Sequence, residues 1–282
     1  MKRLLYGVVA SVLFVGLTGR AKAQYTFITI DVPGVSGGTA ATGINDAGQI
    51  VGYGGGSGFL LDVDGSHTPI NVPNTINTFA EGINAAGQVV GEYRDHFYSV
   101  HGFLWDLDGS YTTIDAPGAT TYTAAYGINT AGQIVGVYGD PTPRSFLLDV
   151  DGSYTPINVP GAVTLAYGIN DAGQIVGYCT DADGTHGFLR DVDGSYSTFD
   201  VPGASATFAN GINAAGQVVG EYTDADGEDH SFLTDVDGSY STFDVPGAAM
   251  TSANGLNAAG LIVGTYVEPD DAFHGFLATR AP

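Results

Sequence analysis

The chain has 282 residues, 43 of them glycine, one cysteine and a formal net charge of −22. Such an excess of carboxylates repels nucleic acid and anionic lipid and attracts cations or basic partners. The lone cysteine, Cys179, excludes an internal disulfide and reads as a buried, inert thiol.

Lys2 and Arg3 precede an apolar run from Leu4 to Leu17, and Ala21-Lys22-Ala23 follows just before Gln24. A charged start, a short apolar core and a small-x-small site describe a cleavable secretory signal over residues 1–23. The run is shorter than the roughly 20 residues a bilayer-spanning helix needs, so removal is expected and not insertion. The mature chain then starts at Gln24, is periplasmic or extracellular, and reads as a monomer. Removal of the signal leaves four arginines against 30 carboxylates, a charge of −26, and no lysine.

The phrase G-I-N-x-A-G-Q-[IV]-V-G recurs with its first glycine at 43, 82, 127, 168 and 211, and a looser sixth copy starts at Gly255. The spacings of 39 to 45 residues suit propeller blades or helical solenoids. Helical periodicity is missing, and glycine and proline recur too often for helices. Each period reads as four strands. The first ends in G-I-N, and N-x-A-G supplies a tight turn with Gly at positive φ. Q-[IV]-V-G-x-Y is the second, and a variable loop leads to the third, as in Gly102 to Asp106. D-x-D-G-S turns the chain into a fourth strand, as in Tyr196 to Val201, which stops at Pro202. Proline cannot donate to a ladder, so the fourth strand is expected at a sheet edge.

The last copy stops after its third strand, at Phe276-Leu277-Ala278, and an unpaired fourth strand opens the mature chain, Tyr25 to Val32. Together they complete one blade. The expectation is an all-β, six-bladed β-propeller over residues 24–282, closed by its N-terminal strand.

The repeat resembles that of the bacterial "extracellular repeat, HAF family" proteins, named for a His-Ala-Phe signature. It covers essentially the whole mature chain. The signature departs to His-Gly-Phe at His101, His186 and His274 and to His-Ser-Phe at His230. The other two blades lack the histidine, at Ser57-Gly58-Phe59 and Arg144-Ser145-Phe146. The resemblance implies secretion and a repeat fold, and assigns no activity.

Comparison of the six copies locates candidate sites. The residue before each repeat glycine varies: Thr42, Glu81, Tyr126, Tyr167, Asn210 and Asn254. Innermost strands surround the channel, so this set, with Tyr122, Phe208 and Phe79, forms an aromatic and polar rim suited to a sugar or peptide. Packing between blades is the alternative for the same residues. The loops between second and third strands also vary, and they share one rim of the ring. Two of them, with Asp181 and Asp183, and with Asp224, Asp226, Glu228 and Asp229, are candidates for calcium, which takes six or more oxygens. No other cofactor is implied. The D-x-D-G copies and the asparagines of G-I-N read as turn residues, and the histidines as structural hydrogen-bonders. They are spread around the ring and cannot converge on one metal.

No G-x-S-x-G, H-E-x-x-H or C-x-x-C is present. The expectation is therefore a secreted, non-catalytic binding module for a glycan or envelope partner. The first alternative is a matrix protein with a cation-binding acidic surface. The second is a channel-mouth hydrolase or lyase, for which Glu81, Asn210 and Asn254 are the conceivable channel ligands.

Overall fold

A computed structural model describes residues 25–33, 37–139 and 142–281. The expected signal segment lies outside the described residues. Among these, the chain forms 24 strands and no helix. They assemble into four four-stranded sheets and one eight-stranded sheet, the latter two four-stranded units joined by the single parallel pair Thr185–Ala206. This is the sheet organisation of a β-propeller.

One unit shows why the repeat folds as it does. Its strands are Asn77–Ile83, Val89–Arg94, Val100–Trp105 and Tyr111–Ile114, paired antiparallel in that order. Gly87 turns the first strand into the second at φ +84°, a conformation only glycine adopts without strain. Phe103 is fully buried, as are Phe146, Phe188, Phe232 and Phe276 at the same position of other units. Gly91 lies beneath the Phe103 ring: a Cβ there would overlap the Phe79 carbonyl and come 2.8 Å from the ring. The second-strand V-G is thus a seat for the third-strand phenylalanine.

The fourth strands lie at sheet edges, and two of them carry proline, Pro69 in His67–Ile70 and Pro156 in Tyr154–Ile157. They are shorter than the sequence suggested. Tyr196–Phe199 ends before Asp200 because that carboxylate turns to Nδ1 of His186 at 2.9 Å. The Val201 N–H then donates to Thr207 Oγ1 and leaves the ladder. The N-terminal strand Tyr25–Ile30 pairs with Phe273–Arg280 in continuous register, from Tyr25 opposite Arg280 to Ile30 opposite Gly275.

The asparagines of G-I-N open their turns and also link neighbouring units. In each, Nδ2 donates to the backbone carbonyl of the equivalent asparagine of the next unit, as from Asn84 to Asn129 at 3.1 Å. The last bond of the series runs from Asn257 to Asn45, also 3.1 Å. A local turn signal therefore carries a tertiary contact between units 39 or more residues apart.

Candidate functional site

Every first strand carries a β-bulge, and the bulged residue is the variable one before the repeat glycine. The register shifts between Ala80 and Gly82, leaving Glu81 as the extra residue. The same shift isolates Thr42, Tyr126, Tyr167, Asn210 and Asn254. A bulge re-aims a side chain away from the ladder. Here all six aim into one cavity of about 510 Å³.

The six then divide by what they touch. Thr42, Asn210 and Asn254 donate to the carbonyls of Ala80, Ala253 and Ala41, each in the adjoining unit. These three line the cavity but are spent on inter-unit bonds. Glu81, Tyr126 and Tyr167 make no such bond, and they are consecutive in the series of units.

Among the described residues, none donates a hydrogen bond to Glu81. Burial holds its carboxyl well above the ordinary carboxylate range, and the neighbouring Glu92 pushes it further. Glu92 is itself raised by burial, against the opposing effects of Tyr122 and Arg94. Tyr122 does not line the cavity. It stands behind Tyr126, with the two hydroxyls 2.8 Å apart, and reaches toward Glu92 Oε2 at 3.4 Å. Burial pushes the Tyr53 and Tyr122 hydroxyls up to about 12, and those of Tyr126 and Tyr167 higher still. All four are therefore neutral phenols at physiological pH.

Aromatic rings form a continuous arc along one wall. Tyr126 meets Tyr167 at 4.7 Å between centroids, Tyr167 stacks on Tyr178 at 5.7 Å, and Tyr178 meets Phe208 edge-on at 4.9 Å. Tyr53 joins the lining, braced edge-on by Phe79 at 4.7 Å. The lining also includes Glu221, the cross-strand neighbour of Phe208, with Asp229, Ser252 and Thr265. Burial raises the Glu221 carboxyl against the opposing hydrogen bond of Ser252.

Of the residues singled out in the sequence, Glu81, Tyr126, Tyr167, Phe208, Asn210 and Asn254 meet in this cavity. Tyr53, Glu92, Tyr178 and Glu221 were missed. They occupy the x of Q-[IV]-V-G-x, where the copies read Tyr53, Glu92, Val137, Tyr178, Glu221 and Thr265. Comparing the copies at that position would have found them.

The acidic loops are placed separately. Asp181 Oδ1 accepts the Asp183 N–H at 2.8 Å, and Asp224 Oδ1 accepts those of Asp226 and Glu228. Asp181 and Asp224 also face Nε2 of His186 and His230 at 3.7 and 3.5 Å. Asp229 leaves its loop companions, starts the strand Asp229–Thr234 and lies exposed at the cavity mouth. Among the described residues, no group of three or more His, Cys, Asp or Glu side chains is placed to hold a metal ion.

No protein-family model matches the sequence, and no curated protein matches it. Solved structures do. A streptogramin B lyase superposes with TM-score 0.59 at 11% identity, covering 93% of this chain and 100% of the lyase. A gluconolactonase from Xanthomonas campestris gives 0.57 at 12%, covering 93% and 92%. Virginiamycin B lyase from Staphylococcus aureus, as an inactive variant with quinupristin, gives 0.56 at 12%, covering 92% and 100%. These similar structures are enzymes, and they overturn the expectation of a non-catalytic binding module. That expectation rested on missing sequence motifs, and side chains on bulges of different units form no contiguous motif. At these identities the likeness shows the fold, and the chain is a β-propeller.

Proposed function

We propose that the cavity is the active site of a hydrolase or lyase for a small molecule, at one end of a closed six-bladed ring, with Glu81 as general acid–base. The observation that carries this reading is Glu81 itself: a carboxyl thrust from a bulge into an aromatic cavity, without a hydrogen-bond partner and raised by burial. General acid–base catalysis is most effective when the group titrates near the working pH, and burial is how a glutamate gets there. Protonated, Glu81 gives its proton to a leaving oxygen. Ionised, it takes one from water or from carbon beside a carbonyl. The Tyr167 phenol, kept neutral by burial, is a hydrogen-bond donor for an oxygen on which charge develops. Tyr122 and Glu92 hold Tyr126 in place from behind.

The six-blade ring is supported by the pairing of Tyr25–Ile30 with Phe273–Arg280 and by the bonds from Asn257 to Asn45 and from Asn254 to Ala41. The strand pairing completes the last unit, and the two bonds join that unit to the first.

The test is turnover of a panel of lactones of small and large ring size by the purified chain and by Glu81→Gln. The variant is expected to lose about 10²- to 10⁴-fold in kcat, the usual contribution of a positioned acid–base group. Undiminished turnover by Glu81→Gln would remove Glu81 from the reaction and with it this reading of the cavity.

A further inference from the structure

We infer that the molecule taken by this cavity carries a positively charged amine, seated among the tyrosine arc, Glu221 and Asp229. The inference rests on the reading of the cavity as a ligand site and adds the chemical class of its ligand.

Three observations converge. The described residues of the lining include three carboxyl side chains, Glu81, Glu221 and Asp229, and no lysine or arginine. An anionic ligand would find no cationic side chain among them to pair it. Second, Tyr53, Tyr126, Tyr167, Tyr178 and Phe208 line the same cavity. Aromatic faces carry negative quadrupole density and attract a desolvated ammonium, an arrangement that recurs where quaternary amines are bound. Third, Glu81 is sunk in the cavity without a donor, and a buried carboxyl in that position gains most from a ligand that brings an N–H or a positive charge. A neutral polar ligand would satisfy the carboxyls by hydrogen bonds and leave the ring faces unused.

The rest of the molecule favours the same ligand. The residues after 23 carry 30 carboxylates and four arginines, so the field over the surface draws cations toward any concave opening. Asp229 stands exposed at the mouth, where it meets an arriving cation before Glu221 does.

Calorimetric titration with three probes of matched shape tests this: benzylammonium, benzyl alcohol and benzoate, each against the purified chain, Glu221→Gln and Tyr167→Leu. Benzylammonium is expected to bind at least tenfold more tightly than benzyl alcohol, and benzoate not to bind. Glu221→Gln and Tyr167→Leu should each weaken benzylammonium about tenfold, and Glu221→Gln should weaken benzyl alcohol less than it weakens benzylammonium. Asp229→Asn, at the exposed mouth, supplies a second charge variant should Glu221→Gln melt below the assay temperature. It is expected to weaken benzylammonium more at low salt than at high salt. Equal binding of benzyl alcohol or benzoate, or benzylammonium binding indifferent to these substitutions, would overturn the inference. Lactone turnover that depends on Glu81 in a protein that ignores benzylammonium would sink the amine alone. Benzylammonium binding without any Glu81-dependent turnover would sink the catalytic reading alone.

Discussion

Replacing Asn129 by alanine should lower the stability of the whole fold, although the residue looks from the sequence like an ordinary turn opener. Its side chain is 3% exposed and makes three hydrogen bonds. Nδ2 donates to Gln133 Oε1 at 2.9 Å and to the Asn170 carbonyl of the next unit at 3.3 Å, and Oδ1 accepts the Gln133 N–H at 2.9 Å. Each such bond contributes about 1 kcal/mol net, so their loss costs about 3 kcal/mol. The Asn170 carbonyl keeps the turn bond from the Gly173 N–H, so no fully orphaned acceptor adds to that figure. For a domain of this size 1 kcal/mol moves Tm by about 2–4 °C, and the expected drop is about 6–12 °C. Scanning calorimetry reads the shift, and urea unfolding with an unchanged slope confirms that stability changed and not the extent of unfolding. A drop below about 2 °C would refute the inter-unit role of Nδ2, since the turn bonds alone would then be compensated by water.

Gly91→Ala should destabilise by about 1–3 kcal/mol through overpacking, because its methyl would collide with the Phe79 carbonyl and the Phe103 ring; equilibrium denaturation measures it. Glu81 has a folded pKa raised above its unfolded value, so its share of stability is complete below about pH 4.3 and is lost as pH rises toward the folded pKa. Glu81→Gln is therefore expected to match the parent chain near pH 4 and to melt higher than it at pH 8. The hydrogen bond to Asp200 raises the His186 pKa, so that pair stabilises below about pH 6.5 and fades as pH climbs through the folded value. An NMR titration of His186 should show a downward shift in Asp200→Asn, and no change would dismiss the pairing. Cys179 is 1% exposed and burial raises its thiol, so a thiol reagent should label it only on unfolding.

Much of the fold was legible because each unit repeats its own punctuation. The N-x-A-G and D-x-D-G turns need glycine at positive φ, and the alternation of short β-branched runs between them leaves a four-stranded antiparallel unit as the arrangement that buries Phe103 and its equivalents. Pro202, just past the end of a fourth strand, marked it as an edge for want of an N–H, and Pro69 and Pro156 lie within two such edge strands. Half of the site was legible as well. The residue before the repeat glycine varies while its neighbours do not, and it proved to be the bulged one. Glu92, Tyr178, Glu221 and Tyr53 were overlooked because they sit in the second strand, and only the cross-strand register, Phe79 opposite Glu92 and Phe208 opposite Glu221, brings that position beside the first.

What the sequence by itself determined is therefore the unit, its turns and the pairing of the two chain ends, all of which depend on local backbone preference and on apolar spacing. What only the tertiary structure decided is which of six equivalent positions are free to act. Thr42, Asn210 and Asn254 satisfy a carbonyl of the adjoining unit, whereas Glu81, Tyr126 and Tyr167 are left facing an aromatic cavity. A hydroxyl or amide has a proton to donate across that junction. The Glu81 carboxyl and the Tyr126 and Tyr167 phenols make no such bond and line the cavity.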